Sequence, residues 1–242
     1  MNLTRLLIAN RGEVAVRVAS AAASLGIETV AIFCEDDSES LHIRKADLAA
    51  PLGGSGPAAY LDMKQILGVA EAKGCDAVHP GYGFLSENPE FARRCSDSSL
   101  IFVGPTPEQL TIFGNKVEAR RLAQTNGVPV VRGTVGATTL DQAREFFASV
   151  GDGNGIMIKA VAGGGGRGMR AVHSADMLEE AYNRCRSEAA ASCGNGDVYA
   201  EQLVRRARHI EVQVVGDAYG ECSHLGEREC SIQRRNQKII EI

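Results

Sequence analysis

Lysine and arginine set around a run of glycines make a chemistry for holding phosphate. The stretch 155–173 has an apolar run ending in Lys159. Gly163, Gly164, Gly165, Gly166, Arg167 and Gly168 follow, then a second run opening at Met169. Consecutive glycines let the backbone take positive φ and approach a ligand closely. Their N–H groups can form an anion-binding concavity, to which Lys159 and Arg167 add charge. The segment matches G-x-G-x-x-G literally, but a dinucleotide turn needs a helix directly after the glycines. Residues 169–173 alternate like a strand, and helical sequence starts only near 175. A P-loop is excluded because no Gly-Lys-Ser/Thr follows. The pattern predicts a strand–glycines–strand flap over phosphate. A flexible linker is the plainer alternative, and the apolar runs on both sides argue against it.

The elements that must position such a flap can be read in chain order. Residues 4–9 read as a buried parallel strand, and Val14, Val18, Ala22 and Leu25 as one helical stripe stopped by Gly26. Residues 27–33 read as a second strand. Strand, loop, helix and strand in that order open a doubly wound sheet. The acidic run 35–39 reads as a solvated loop. Residues 62–73 read as an amphipathic helix with Asp62 as N-cap. Residues 76–79 form the next strand, with the loop 80–88 at its carboxyl end, where open α/β sheets bind ligands. His79 alone reads as structural. After Pro107 the pattern changes to helices over 107–113, 116–126 and 138–150, then the flap, a helix over 175–191, and strands over 198–201 and 209–215. The last residues are basic, then strand-like, and stop within an apolar run, which reads as a chain cut mid-pattern.

A chain of 242 residues with net charge −4 is not a general nucleic-acid or membrane-surface binder. No apolar run is long enough to cross a bilayer. The seven cysteines are scattered and form no C-x-x-C pair, the usage of a reduced, cytoplasmic protein.

Four motifs then stand in order: Ile8-Ala-Asn-Arg-Gly-Glu13, His79-Pro-Gly-Tyr-Gly-Phe-Leu-Ser-Glu-Asn88, Lys159 with the glycines to Met169, and Ser231-Ile-Gln-Arg-Arg235 with Gln237-Lys238. Together they resemble biotin carboxylase, the ATP-grasp component of biotin-dependent acyl-CoA, pyruvate and related carboxylases. The resemblance implies an α/β N-terminal domain over 1–113 and a helical connection over 114–133. A lid subdomain would follow over 134–203, then the incomplete opening of the ATP-grasp core over 204–242. It implies an ATP-dependent ligase that carboxylates biotin on a carrier protein, using bicarbonate through carboxyphosphate. Its partners would be a biotin carrier, a carboxyltransferase and, in the complete protein, a second copy.

By resemblance, Lys116 and Lys159 contact ATP phosphates and the loop Gly163–Gly168 closes over them, with Met169 beside it. Glu201 and Leu203 match the adenine hinge, His209 and Gln233 the ribose side, and Lys238 and Asn236 the reacting groups near the γ-phosphate and bicarbonate. Asn236 stands where the family usually has histidine, and Gln202 where lysine is common. Asparagine donates a hydrogen bond but carries no charge. The family's Mg²⁺ (or Mn²⁺) ligands are expected beyond Ile242, so the chain alone is expected to bind ATP weakly and not to turn it over. The nearest rival is another ATP-grasp ligase of the carbamoyl-phosphate-synthase kind, and a second is a non-catalytic carboxylase-associated chain.

Overall fold

A computed structural model describes residues 3–151, 153–162, 168–217, 219–234 and 237–242, leaving out also the side chains of 192, 193 and 237. The chain packs as two compact units, Met1–Phe113 and Gly114–Ile242.

In the first unit, β1 (Arg5–Ile8), α1 (Gly12–Ser24), β2 (Glu28–Phe33), α2 (Leu41–Lys45), β3 (Leu48–Pro51), α3 (Gly56–Ala59), α4 (Met63–Ala72), β4 (Ala77–His79), α5 (Pro89–Asp97) and β5 (Ile101–Phe102) alternate along the chain. The strands form one sheet, ordered β3-β2-β1-β4-β5, and every pairing is parallel. A parallel sheet is covered on both faces. Leu7, Val30, Ile32 and Val78 accordingly enter one apolar cluster, while Leu6, Ile8 and Ala77 enter another with α1. The buried stripe of α1 is Ala15, Val18, Ala19 and Ala22; of the expected line, Val18 and Ala22 lie in it, Val14 packs partly buried beside it, and Leu25 does not join it. Small alanines let the helix sit close on the sheet, and Leu25, just past the helix end, is 75% exposed. Asp62 caps α4 as expected, accepting from the Gln65 N–H.

The sheet order reverses between β1 and β4, and the loops there are tied together. Asn10 is buried and its Nδ2 donates to the carbonyls of Pro80 and Tyr82 at 2.7 and 2.8 Å. Gly81 has φ +64°, and a Cβ on it would lie 2.6 Å from Asn10 Nδ2. Two of the sequence motifs are therefore parts of one knot. The acidic run is only partly solvated. Asp37 accepts from Tyr60 Oη at 2.7 Å and Arg11 Nη1 at 2.9 Å. Burial pushes its carboxyl up, but those bonds outweigh it and hold the group at about 2.

The first unit ends in α6 (Pro107–Gly114), whose last residue opens the second. The second unit contains α7 (Lys116–Thr125), α8 (Leu140–Ser149), β6 (Ile156–Ala160), β7 (Met169–Val172), α9 (Leu178–Cys193), β8 (Val198–Gln202), β9 (Ile210–Gly216), β10 (Cys222–Glu229), β11 (Ile232–Arg234) and β12 (Gln237–Ile240). β6 lies between β7 and β8, antiparallel to both. One face of this sheet packs on α8 and α9 through Ile156, Ile158, Val172, Val198, Ala200, Leu178 and Cys185. A capping box of Thr139 and Gln142 starts α8. Two hairpins, β9–β10 and β11–β12, follow.

Candidate functional site

Because side chains alternate along a strand, the sheet face turned away from α8 and α9 carries Met157 and Lys159 of β6, Met169 and Ala171 of β7, and Tyr199 and Glu201 of β8, paired across in register. This face holds the expected phosphate lysine. Residues 163–167, with four of the flap glycines and Arg167, lie outside the described residues, but both roots of the flap are placed. Lys159 leads into it, and Gly168 closes it at φ +64°. The Gly168 carbonyl accepts from the Ala160 N–H at 2.8 Å and the Cys185 thiol at 2.7 Å. Burial pushes the Cys185 thiol up to about 11, so it stays protonated and able to donate. A Cβ on Gly168 would lie 3.0 Å from that of Ala160.

Lys116 reaches the same place from α7. Asn115 caps this helix, accepting from the N–H groups of Val117 and Glu118. Lys116 Nζ then donates to the Ala160 carbonyl at 3.2 Å, and its backbone N–H to Val161 at 3.2 Å. Two lysines expected from sequence to share a ligand are thus brought to one end of β6.

Glu201 is placed by its strand on that face, and its carboxylate is buried. Lys159 Nζ donates to Oε2 at 2.5 Å, while Arg120 Nη1 and Tyr199 Oη each donate to Oε1 at 2.9 Å. Burial pushes the Glu201 carboxyl up, but Lys159, Tyr199 and Arg120 together bring it below the usual range. The same burial, with the Glu201 charge, pushes the Tyr199 phenol up, so it stays a donor. Leu203 follows β8, its N–H on the Gly155 carbonyl at 2.8 Å. Gln202 and Leu203 line a cavity of about 530 Å³ with Val130, Val131, Arg132, Asn154, Val204 and Arg205.

The remaining expected residues gather on the hairpins. His209 Nδ1 and Gln233 Nε2 are 2.9 Å apart, and Gln233 also donates to the Cys230 carbonyl. Lys238 of β12 is hydrogen-bonded to Glu211 of β9, which also takes Arg228 at 2.5 and 3.0 Å. His209 Nε2 lies 3.8 Å from Glu211. The Lys238 and Arg228 bonds hold the Glu211 carboxyl at about 2. Asn236 lies outside the described residues. Glu211, Cys230 and Glu241 bring possible ligand atoms within 4.8 Å of one another. Arg228 and Lys238 already occupy the oxygens of Glu211, so the set does not fit a divalent cation.

Two family models cover nearly all of this architecture. The biotin carboxylase N-terminal domain matches residues 2–110. The ATP-binding domain of the carbamoyl-phosphate synthase L chain matches residues 115–242, more than half of the chain. The chain belongs to the biotin carboxylase family. It is 50% identical over 246 residues to the pyruvate carboxylase of Bacillus subtilis, covering 100% of this chain and 21% of that protein. It superposes on a Campylobacter jejuni biotin carboxylase–β,γ-ATP complex with TM-score 0.96 at 40% identity, covering 99% of this chain and 54% of the other. A similar fit, TM-score 0.95 at 40% identity, joins it to the biotin carboxylase domain dimer of Hydrogenobacter thermophilus 2-oxoglutarate carboxylase, solved with MgADP, ADP and bicarbonate. That match covers 100% of this chain and 53% of the other. The chain therefore spans about a fifth of the pyruvate carboxylase and about half of the two biotin carboxylase structures. The doubly wound first unit and the opening of an ATP-grasp domain are the fold that the motifs led us to expect.

Sequence reading missed Arg120 and Tyr199, which hold Glu201, and Glu211, which holds Lys238. The signals were present. Arg120 stands four residues after Lys116 on one helix, hence on the same face. Tyr199 and Glu211 stand two residues from Glu201 and His209 on their strands, hence on the same faces too.

Proposed function

We propose that this chain provides the lid and a reacting-side lysine of an enzyme that uses ATP and bicarbonate to carboxylate biotin on a carrier protein, through carboxyphosphate. A carboxyltransferase would then pass the carboxyl group to an acyl acceptor. The observation that carries the reading is the face of β7-β6-β8 turned away from α8 and α9. It presents Lys159 with Met157 and Met169 at the root of the glycine flap, and Lys116 converges on it from α7. The methionines offer a polarizable apolar surface for a base, and the lysines and flap amides offer positive charge for phosphates. Phosphoryl transfer is served mainly by such positioning and charge neutralisation.

In this reading Lys116 and Lys159 bind the nucleotide phosphates, while Glu201 and Leu203 border the adenine. His209 and Gln233, joined to each other, face the ribose. Lys238 stabilises charge where bicarbonate meets the γ-phosphate, with Asn236 beside it as an uncharged donor. Mg²⁺ or Mn²⁺ would supply further charge neutralisation at the phosphates; the cluster of possible ligands among the described residues, Glu211, Cys230 and Glu241, is already held by Lys238 and Arg228. The two-copy assembly and the transferase partner are parts of the same proposal.

The test is ATP hydrolysis by the full-length protein. Dependence on bicarbonate with stimulation by free biotin is expected. Dependence on ammonia or an amino acid instead would overturn the reading in favour of the carbamoyl-phosphate-synthase kind of ligase, whose ATP-binding domain describes the second match.

A further inference from the structure

The lysine expected to hold ATP is already held by something else. Lys159 donates to Glu201 Oε2 at 2.5 Å, and Glu201 is only 8% exposed. For Lys159 to turn to a phosphate it must leave a buried carboxylate. A buried charge stripped of its only counter-ion is strongly destabilising. Were Lys159 the only cation here, that cost would be set against every binding event.

Arg120 changes the balance. It donates to the other oxygen, Oε1, so the departure of Lys159 leaves Glu201 with one charged and one neutral hydrogen bond, from Arg120 and Tyr199. With the carboxylate matched by Arg120, the Lys159 charge is in excess and available to an anion. The two cations are also mounted differently. Arg120 is pinned: its Nη2 donates to the Val131 carbonyl at 2.6 Å, and its guanidinium lies 6.0 Å from the Tyr199 ring centroid. Gly133 packs so closely that a Cβ there would be 2.8 Å from Arg120 Nη2. Arginine's rigid fork suits such multiple fixed contacts, whereas lysine is a point charge on a flexible stem. Lys159 makes one described side-chain bond, and its side chain is more exposed than that of Arg120, 26% against 15%.

We propose that Arg120 is a positioning residue for phosphate binding, keeping the buried Glu201 carboxylate paired while Lys159 turns from Glu201 to the nucleotide. The inference rests on the ATP-binding reading above, and two readouts keep the failures of each apart.

The first readout needs no nucleotide. Peptide-resolved labelling with an amine-reactive ester reports how freely Lys159 leaves Glu201. R120M leaves Lys159 as the one described cation on Glu201, beside the neutral Tyr199 bond, so labelling of Lys159 should fall several-fold while that of Lys238 stays unchanged. Unchanged Lys159 labelling would overturn the inference, whatever the protein binds. The second readout is bicarbonate-dependent ATP hydrolysis by the full-length enzyme. R120M should raise the KM for ATP by roughly tenfold to a hundredfold, the range of a typical coupling between two sites, with kcat changed much less. R120K should recover part of the loss. The double variant R120M/E201Q should be less impaired than R120M, because removing the buried charge removes the need for Arg120. A wild-type KM in R120M, or a double variant impaired by the sum of both changes, would overturn the proposal. If R120M fails to fold, R120K alone is decisive. An intermediate KM with reduced Lys159 labelling supports the inference, and wild-type values of both refute it. Wild-type enzyme that ignores ATP would sink the functional reading and leave the labelling result standing on its own.

Discussion

Two lysines in this chain are held in the same way at different depths. On the β7-β6-β8 sheet, the proposed lid, Glu201 joins Lys159 and Arg120 with side-chain exposures of 10, 26 and 15%. On the hairpins, Glu211 joins Lys238 and Arg228 with exposures of 22, 35 and 37%. Each set is a carboxylate between one lysine and one arginine, and on the hairpins a second carboxylate, Glu241, lies 3.6 Å from Arg228. What differs is the solvent. Water and salt screen the hairpin set, and its carboxylate can rehydrate when a partner leaves. The lid set sits where an unpaired carboxylate has no such recourse. The same three charges are therefore a structural commitment in the lid and a loosely held arrangement on the hairpins.

The largest expected effect separates the two carboxylates. Glu201→Ala leaves Arg120 and Lys159 facing each other below the surface, and should cost roughly 3–5 kcal/mol of unfolding free energy, the range for breaking a buried pair. Glu211→Ala should shift the denaturation midpoint little. Urea unfolding of both variants checks this, and equal losses would mean that depth is not what distinguishes the sets.

Next in size is the pair of lysines. Lys238→Met should reduce bicarbonate-dependent ATP hydrolysis on the order of a hundredfold to a thousandfold, as loss of one preorganised donor does, with the melting temperature unchanged. Lys159→Met should act mainly through the KM for ATP. A kcat loss from Lys159→Met with unchanged KM would break the assignment of the lid lysine to binding and the hairpin lysine to reaction.

A smaller contrast concerns two glycines at positive φ. Gly168, at the flap root, has φ +64° with the Ala160 Cβ 3.0 Å from where its own would be, whereas Gly226 on β10 has φ +85° and open space around it. Backbone strain of about 1–3 kcal/mol applies to alanine at both. Crowding adds to it only at Gly168. Gly168→Ala should therefore melt lower than Gly226→Ala, and the reverse order would show that the flap root yields more easily than its packing implies.

The fold was legible because it rests on patterns that local sequence carries. Runs of apolar residues marked β1, β2 and β6, and Gly26 and Asp62 marked helix ends. The four motifs then fixed the family. The stripe of α1 was legible at Val14, Val18 and Ala22 and misread at Leu25, which lies past the helix end and is exposed. Within the site, Lys116, Lys159 and Lys238 could be named from their motifs. Arg120 and Glu211 could not, because each acts through a partner distant in sequence, and Tyr199 acts through Glu201, whose own part in the cluster is set by Arg120. Arg120 meets Glu201 across 81 residues, and Glu211 meets Lys238 across 27. The motifs name the lysines proposed to face the ligand. Only tertiary structure shows what holds that lysine when the ligand is away.

The smallest effect probes the screening argument directly. Both carboxyls lie below the usual range, Glu211 at about 2 against an ordinary 4.5. A depressed carboxyl stabilises the fold fully above its unfolded value. That contribution is lost as pH falls through the folded value, here between about 4.5 and about 2 for Glu211. Raising ionic strength to about 1 M shortens the screening length to about 3 Å, which reaches exposed pairs and spares buried ones. Carboxyl-carbon NMR titration at low and high salt should show the Glu211 midpoint climbing toward 4.5. The Glu201 midpoint should barely move. If the two midpoints climb together, the lid carboxylate is as open to solvent as the hairpin one, and a pinned arginine beside it would have nothing to compensate.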